Sequence, residues 1–548
     1  MTRDDVTRDD AAQTNPAQTG PAPDGALPAD TAPTAGRVPV WLAALAGVAA
    51  AAVALGLAEL VAVFTGARTA PLVAVGGVVV DTVPEPLKQF AIDVFGVHDK
   101  TALLIGTAVL LAGFAAGIGV LAVRWPAAGV IGVACFGLIG VAAAVTRPDV
   151  GPFAALPALV GALAAAVVLW SLITGPLRPA ARPTPSPVVP GAGAADRRRF
   201  LTTVGVTVGA AALAGASGRW LAQRRGVATA RTAVTLPAPV DAAPPVPSGV
   251  DPPATGLSRY VTANRDFYRI DTALVVPQVD PVDWRLRIHG RVTNEVTISY
   301  GDLLGMDLVE RYVTLSCVSN EVGGDLIGNA RWLGVPVRDL LLEAGPLPGA
   351  DQAVSRSVDG WTCGTPTEVL LDGRDALLAI GMNGEPLPVE HGFPVRMVVP
   401  GLYGYVSACK WITELELTSF ADFDAYWVPR GWSAQGPIKT QSRIDTPRRG
   451  GELTAGQVTV AGVAWAPHRG ISAVEVRVDE GPWQPATLAP VVSVDTWVQW
   501  VWQWPATAGE HLLQVRASDG DGVTQPQERT PVAPDGATGW HSVQVTVA

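Results

Sequence analysis

A single cysteine in the second half of the chain has a setting that suits a metal ligand. Cys317 follows a strand-like run, Tyr312–Leu315, and precedes a glycine-rich stretch that begins at Gly323. A lone cysteine is most often a small buried hydrophobic residue, but a thiolate is also a soft ligand that suits a metal–sulfur centre. Because no His or Cys is adjacent to Cys317 in the sequence, a metal there would need its remaining ligands from a cofactor.

The other three cysteines give no metal-binding signature. Cys135 lies inside an apolar run, and Cys363 and Cys409 are far apart, without C-x-x-C spacing. The spacing therefore supports neither a zinc site nor an iron–sulfur cluster. A disulfide between Cys363 and Cys409 is an open alternative outside the cytoplasm.

A second group of chemically useful residues lies between Glu390 and Trp411. It combines His391, Arg396 and Lys410 with glycines that permit close backbone approach. Fixed cations and free N–H groups are what an anionic, phosphate-bearing ligand needs. The alternative is a solvated charged loop without a ligand.

Taken in order, these segments resemble the sulfite oxidase family of molybdopterin enzymes. The resemblance covers about residues 256–420, and the tail around Trp465 resembles that family's C-terminal immunoglobulin-like domain. The motifs that carry it are Cys317, Gly328-Asn329-Ala330-Arg331-Trp332, Met382-Asn383-Gly384-Glu385-Pro386-Leu387-Pro388, His391-Gly392-Phe393-Pro394-Val395-Arg396, Val399-Pro400-Gly401 and Lys410-Trp411. No single motif is specific, but the ordered set is.

The resemblance implies a cofactor, Mo-molybdopterin with one molybdenum, and roles for named residues. Cys317 would be the protein ligand to the metal, and Cys317 and Arg269 would be the catalytic residues. The residues implied to hold or border the cofactor are Asn264, Phe267, Tyr268, Asp359, His391, Arg396, Ala408, Cys409 and Lys410. The implied chemistry is oxygen-atom transfer, to which the protein contributes orientation, charge and exclusion of water.

The sequence departs from that family at two places near the implied metal ligand. Sulfite oxidases carry arginines after the ligand cysteine, whereas here Asn320 is followed by Glu321 and Val322. Two residues after Arg269, where the family often has a histidine, this chain has Asp271. A doubly anionic substrate would need positive charge beside the metal, so a reductase acting on a neutral sulfoxide or N-oxide is an alternative within the family.

The elements that must position these residues follow from composition. The 548-residue chain is too long for one core, and its long uncharged runs are concentrated before residue 220. The predicted segments are a disordered cytoplasmic tail (1–36), a four-span membrane region (37–175), a linker (176–196), a twin-arginine-like fifth span (197–222), a second linker (223–255), an α+β molybdopterin-binding oxidoreductase domain (256–445) and an all-β immunoglobulin-like sandwich (446–548). The predicted fold class is therefore multi-domain, with about five membrane helices before the two globular domains.

Four apolar runs meet the length of about 20 residues that a bilayer-spanning helix requires. They lie near 38–66, 101–123, 127–146 and 152–174, and Glu59 is the only charged residue in them. The segment 67–100 is less apolar and is predicted to be an exposed loop, with an interfacial helix as an alternative.

A basic motif before the fifth apolar run resembles a twin-arginine export signal. Arg197-Arg198-Arg199-Phe200-Leu201 precedes the weakly hydrophobic run Thr202–Ser217. The alternative is the basic flank of an ordinary membrane helix. No A-x-A cleavage pattern follows, so the helix is expected to remain as an anchor.

Charge placement predicts a multi-pass protein of the cell membrane. Arg124, Arg178, Arg182 and Arg197–Arg199 should lie in the cytoplasm by the positive-inside rule. With the N-terminus in the cytoplasm, five crossings place the catalytic half outside it.

Composition and histidine positions restrict the partners. The net charge is −10 with no basic stripe in the second half, which argues against nucleic acid. His98 is the only histidine before His289, which excludes bis-histidine haem ligation in the four spans. The expected partners are a small-molecule substrate, a separate electron carrier and the lipid bilayer, and a homodimer through the C-terminal domain is an open alternative.

The leading prediction is an extracytoplasmic, membrane-anchored molybdenum oxidoreductase that transfers an oxygen atom to or from a small sulfur or nitrogen compound. The alternative from another class is a non-catalytic binding or scaffold protein that retains the fold. Intact Cys317, His391 and Arg396 argue against that alternative. A transporter is disfavoured because Glu59 is the only charge within the four spans.

Overall fold

The computed structural model describes residues 38–84, 87, 90, 94–95, 99–147, 150–175, 192–224 and 226–548. The predicted cytoplasmic tail, His98 and most of the first linker lie outside these residues.

Among the described residues, five of the first six α-helices are long and apolar enough to cross a membrane. The six are α1 (Val40–Thr65), the shorter α2 (Pro71–Thr82), α3 (Asp99–Arg124), α4 (Pro126–Val145), α5 (Leu156–Thr174) and α6 (Ala192–Arg224). The five predicted apolar helices are confirmed, although α6 begins inside the segment 176–196 that was predicted to be a linker. The segment 67–100 contains α2 and is not simply an exposed loop.

Small residues allow the apolar helices to approach one another closely. A side chain on Gly47 of α1 would place its Cβ 1.9 Å from the carbonyl oxygen of Ala115 in α3. Large apolar side chains such as Phe114 and Leu163 point outward instead, with 61% and 70% of their surface exposed. Small residues at helix contacts and large apolar residues on the outside are typical of a bundle surrounded by lipid.

Residues 226–440 contain two sheets joined by short helices. The helices are α7 (Ala228–Ala233), α8 (Tyr300–Leu304), α9 (Val337–Ala344) and α10 (Thr367–Leu371). The strands are β1 (Arg285–Gly290), β2 (Val296–Ser299), β3 (Val309–Ser316), β4 (Ile327–Pro336), β5 (Gln352–Ser357), β6 (Thr362–Pro366), β7 (Leu377–Met382), β8 (Glu385–Pro386), β9 (Arg396–Val398) and β10 (Ile412–Thr418).

The two sheets have different orders and share one hydrophobic core. The first runs β2-β1-β10-β5-β6, with β1 and β10 parallel, and the second runs β3-β4-β7-β8 with β9 beside β7. β4 and β7 are buried along almost their whole length, as expected for central strands with both faces covered. β3 lies at the edge of this sheet and ends at Ser316, the residue before Cys317.

The C-terminal part is an all-β sandwich. Its strands are β11 (Gln441–Thr446), β12 (Glu452–Leu453), β13 (Gly456–Trp465), β14 (Ile471–Val478), β15 (Gln484–Pro485), β16 (Thr487–Leu488), β17 (Val498–Ala506), β18 (Gly509–Asp519) and β19 (His541–Val547). One sheet runs β11-β13-β17-β16 and the other β12-β19-β18-β14-β15. Because β11 pairs with β13, the sandwich begins at Gln441 and not at the predicted 446.

The segment predicted as the second linker, 223–255, is attached to the catalytic domain. It contains α7, where Arg231 donates hydrogen bonds to the carbonyls of Pro386 and Leu387 at 2.6 and 2.7 Å. Farther along, Asp241 forms a parallel bridge with Val309 at the edge of β3. These backbone contacts explain why a Pro- and Ala-rich sequence is ordered against the domain.

Candidate active site

Cys317 lies in a tight turn at the end of β3. Its N–H donates to the carbonyl of Leu326 at 2.9 Å, and the N–H of Ser319 faces its Sγ at 3.4 Å. The residue is buried, with 8% of its surface exposed. Burial raises the pKa of the Cys317 thiol and the Ser319 hydrogen bonds oppose that rise, so a cation is needed to stabilise the thiolate.

Asn320, three residues after Cys317, has an unsatisfied donor. Its Oδ1 accepts a hydrogen bond from the N–H of Leu326 at 2.9 Å, which closes the turn. Its Nδ2 is buried and has no hydrogen-bond partner within the part of the chain that the structure describes. A buried amide donor without a partner is costly, which favours a bound group at this position.

Arg396 is a buried cation that the described residues leave without a carboxylate. It begins β9, donates to the carbonyl of His391 at 3.1 Å, and stacks its guanidinium 5.1 Å from the ring centre of Trp332. Burial lowers the pKa of Arg396 to about 10, opposed by Tyr268 and Cys409, and the group is still charged at neutral pH. Such a cation suits the phosphate of a cofactor.

His391 is a neutral neighbour of that cation. Its Nε2 lies 3.1 Å from the carbonyl oxygen of Asn264; because a carbonyl only accepts, Nε2 carries the proton and Nδ1 is left as an acceptor. Burial lowers the pKa of His391 to about 4, with further lowering by Arg396 and Lys410. The imidazole is therefore a hydrogen-bonding group and not a third cation of the pocket.

Lys410 is paired with a carboxylate that the sequence did not identify as part of the site. Its Nζ lies 2.7 Å from Oδ2 of Asp271 and donates to the carbonyl of Glu390 at 3.2 Å. Burial lowers the pKa of Lys410 to about 8, and Asp271 opposes this effect. Lys410 and Arg396 are brought together by a bridge between their backbones.

The segment 264–268 forms one wall beside Cys317. The side chain of Asn264 is bound to the β7–β8 turn, where its Oδ1 accepts from Asn383 at 2.7 Å, so its contact with His391 is through its carbonyl. Phe267 is buried and packs on Tyr268 with ring centres 5.2 Å apart. Burial raises the pKa of Tyr268 strongly, with a further contribution from nearby Cys317, so its hydroxyl stays protonated as a donor.

The remaining predicted cofactor residues lie on neighbouring turns. Ala408 donates its N–H to the carbonyl of Gly404 at 2.9 Å. Asp359 caps the β5–β6 turn by accepting from the N–H of Trp361 at 3.2 Å. Cys409 is fully buried, and its carbonyl accepts a hydrogen bond from the N–H of Met397 at 2.8 Å.

The disulfide between Cys363 and Cys409 that the sequence left open is not formed. Cys363 and Cys409 are both free thiols in contact with each other, and their proximity together with burial raises the pKa of Cys409.

Arg269 is exposed and its Nε lies 2.8 Å from Oδ2 of Asp271. That pairing joins Arg269 to the Lys410 cluster, and its catalytic role stays a prediction.

A cleft of about 520 Å³ borders the loop that follows Cys317. Its lining includes Glu321 from that loop, Arg430 and Trp432 from the turn after β10, and Arg529 from the sandwich. The segment after the cysteine does lack arginines, but the fold brings two from distant parts of the chain. Their positions were not predictable because they depend on how the sandwich packs against the catalytic domain.

Comparison with known proteins gives a consistent assignment for the central domain. Residues 273–427 match the family described as oxidoreductase molybdopterin binding domain. Human mitochondrial sulfite oxidase is 30% identical over 355 residues, which are 55% of this chain and 65% of that enzyme, or just under two thirds of its length. An uncharacterized oxidoreductase of Bacillus subtilis, YuiH, is 32% identical over 157 residues, which are 29% of this chain and 76% of that protein.

The sulfane dehydrogenase SoxCD from Paracoccus pantotrophus aligns with a TM-score of 0.47 at 24% identity, covering 53% of this chain and 82% of that chain.

Proposed function

The chain belongs to the sulfite oxidase family of molybdopterin-dependent oxidoreductases, with Mo-molybdopterin as its cofactor, and from this we propose a membrane-anchored enzyme with its catalytic half outside the cytoplasm. Its proposed reaction is oxygen-atom transfer on a small sulfur or nitrogen compound. The observation that carries the proposal is the position of Cys317, buried at the end of β3 and close enough to Tyr268 to affect its pKa, as the guanidinium of Arg396 also does.

The pocket fits the cofactor in charge and in hydrogen-bonding capacity. Arg396 has no carboxylate partner among the described residues, and Asn320 has a buried donor with none. Arg396 and Lys410 would hold the anionic end of the pterin, and Cys317 would supply the thiolate to the metal. When bound, the cofactor supplies two-electron oxygen-atom transfer, while these side chains orient it and keep its surroundings dry.

The cleft beside Glu321 is the proposed route for the substrate. Arg430 and Arg529 give it positive charge, and Trp432 gives it an apolar wall. This combination supports a small polar sulfur or nitrogen compound as substrate.

A second candidate, reduction of a neutral sulfoxide or N-oxide, is favoured by the loop next to the metal ligand. Glu321 and Val322 stand where sulfite oxidases have arginines. A carboxylate at this place disfavours a dianion and has little effect on a neutral oxide.

The ends of the helices support the proposed orientation. Arg197, at the start of α6, lies over the ring of Trp41 at the start of α1, with 5.0 Å between Cζ and the ring centre. Arg124 ends α3, and α3 begins beside the catalytic domain, where Lys100 contacts Asp271. Arg124 and Arg197–Arg199 therefore lie at the end away from the catalytic half, and this supports the proposed orientation under the positive-inside rule. Arg68 and Arg147 lie at the opposite end, where they contact Val358 and Asp81.

Electrons are proposed to pass to or from a separate carrier, since His98 is the only histidine in the sequence before His289. A homodimer through the C-terminal sandwich stays a proposal.

The deciding experiment compares Cys317→Ser with Cys135→Ser in full-length protein. Cys135 is an exposed membrane cysteine, so it is a matched control for the chemical change. We expect about one molybdenum per chain in the parent and turnover in a screen of sulfite, sulfoxides and N-oxides with artificial electron donors and acceptors. Cys317→Ser should reduce turnover by at least about a thousandfold, whereas Cys135→Ser should not change it. Absence of molybdenum from matured parent protein would support the scaffold alternative.

A further inference from the structure

A lysine of the membrane region reaches the buried charges of the pocket. Lys100, in the first turn of α3, places its Nζ 2.8 Å from Oδ1 of Asp271, 2.7 Å from the Asp271 carbonyl and 2.9 Å from the Ala273 carbonyl. Three acceptors match the three donors of an ammonium group. This contact is a specific docking site, because its acceptors are fixed by the backbone of the catalytic domain.

The two carboxylate oxygens of Asp271 contact different parts of the protein: one contacts the membrane region and the other contacts the pocket. Oδ1 faces Lys100, whereas Oδ2 lies 2.7 Å from Nζ of Lys410 and 2.8 Å from Nε of Arg269. Only 5% of the Asp271 side chain is exposed. A buried carboxylate cannot reorient cheaply once each oxygen is engaged, so the Lys100 contact fixes the direction in which Oδ2 meets Lys410.

Two further contacts place the same end of the membrane region against the catalytic domain. Arg68 donates to the carbonyl of Val358 at 2.6 Å, next to Asp359. Asp81 accepts from the hydroxyl of Tyr426 at 3.3 Å. The membrane region therefore touches the catalytic domain at three separated places, two of which adjoin residues of the pocket.

We propose that Lys100 is a positioning residue of the cofactor pocket, which holds Asp271 so that this carboxylate fixes Lys410. The four-span region is then a structural part of the pocket and not only an anchor. The inference rests on the presence of molybdopterin in this pocket, and it does not depend on which reaction the enzyme performs.

Electrostatics explains why the third cation matters. Asp271 alone would neutralise Lys410 and weaken its attraction for an anion. Because Lys100 and Arg269 also contact Asp271, this carboxylate is shared among three cations and not held by Lys410 alone. These contacts hold the pKa of Asp271 well below its usual range, although burial opposes this, so the carboxylate is ionised at every pH at which the enzyme would work.

The test uses the full-length protein in nanodiscs and measures cofactor retention. The variants are Lys100→Gln, Lys100→Arg, Asp271→Asn and the double variant Lys100→Gln/Asp271→Asn. Arg147→Gln is the matched control, because it removes a cation that pairs with Asp81 at the same end of the membrane region without touching Asp271. Molybdenum and pterin are measured during prolonged dialysis, and the Mo(V) electron paramagnetic resonance spectrum reports the surroundings of the metal.

We expect Lys100→Gln to lose the cofactor about fivefold faster than the parent, and Lys100→Arg to stay within about twofold. The double variant should lose the cofactor no faster than Asp271→Asn, since each single change already removes the ion pair between Lys100 and Asp271. Parent-like retention and an unchanged spectrum in Lys100→Gln would overturn the proposal, and so would an equal loss in Arg147→Gln. If the parent turns over no substrate tested, the reaction proposed above fails while this measurement still gives an answer.

Discussion

The pocket wall around Arg396 and the wall around Lys410 hold a buried cation in opposite ways. Arg396 contacts backbone carbonyls and the ring of Trp332, all within the catalytic domain, with no carboxylate partner among the described residues. Lys410 contacts a carboxylate, Asp271, which is itself held from the membrane region by Lys100. One wall is complete within its own domain, and the other depends on the neighbouring region.

The difference suggests a division of labour in the pocket. A guanidinium without a counter-ion keeps its full attraction for a bound anion, because no internal partner competes. A lysine held by a carboxylate attracts an anion less strongly but is fixed in position. We infer that Arg396 contributes mainly affinity for the cofactor and that Lys410 contributes mainly its placement.

The largest effect should come from removing each cation in turn. Arg396→Gln should weaken cofactor binding by about a hundredfold, which corresponds to about 3 kcal/mol for a charge-assisted contact in a buried site. Lys410→Gln should weaken it by only about tenfold, because Lys100 and Arg269 still neutralise Asp271. Molybdenum and pterin content after purification measures both.

Arg287→Gln is the control for these variants, since Arg287 forms an exposed pair with Glu295 on β1–β2. It should retain the parent's cofactor content. If Lys410→Gln lost as much cofactor as Arg396→Gln, the two walls would not differ in the way described.

A smaller effect, on the free energy of unfolding, should appear when His391 is protonated, because Arg396 and Lys410 both disfavour a positive charge on this imidazole. The unfolded pKa of histidine is about 6.5, whereas burial, Arg396 and Lys410 lower the folded pKa of His391 to about 4. The unfolded chain therefore binds the proton first as pH falls. His391 should leave stability intact above pH 6.5 and reduce it progressively down to pH 4, by about 2–3 kcal/mol.

Thermal melting followed by tryptophan fluorescence between pH 7 and pH 4 measures this loss. His541 in the sandwich needs a parallel control, because burial and Arg443 also lower its pKa to about 4. We expect His391→Gln and His541→Gln each to remove a separate part of the acid sensitivity. An acid profile unchanged by His391→Gln would contradict the assigned environment of this imidazole.

Local pattern was sufficient to predict much of the fold. Helical hydrophobicity predicted all five long apolar helices. The ordered motifs placed Cys317, His391, Arg396 and Lys410 in one domain, and the structure positions the last three together through β9 and the turn before β10. These features depend on nearby residues or on a motif whose spacing is preserved.

The features that sequence could not predict depend on contacts between distant segments. Lys100 and Asp271 are 171 residues apart, and nothing near either one marks it as part of an ion cluster. The segment 223–255 has the composition of a linker, but its backbone pairs with β3 through Asp241. Composition predicts the structure that a segment would adopt in isolation, and does not predict which surface of the folded protein the segment contacts.

The smallest effect should come from a change among the apolar helices that affects the pocket only at Lys410. Gly119 of α3 faces α1 so closely that a Cβ there would lie 2.2 Å from the carbonyl oxygen of Ala43. Gly119→Ala should push α3 away from α1 and loosen the contact of Lys100 with Asp271. We expect cofactor loss to become about twofold faster, since the displaced helix acts on the pocket only through the Lys100 contact.

Gly113→Ala in the same helix is the matched control, because a Cβ at Gly113 meets nothing within 4 Å. It should retain the cofactor as the parent does. The decisive comparison combines each change with Lys100→Gln: once the lysine contact is lost, Gly119→Ala should have no further effect on retention, because it acts through that contact. If Gly119→Ala accelerated cofactor loss equally with and without Lys100, membrane packing would act on the pocket by another route, and the contrast between the two walls would not rest on the lysine.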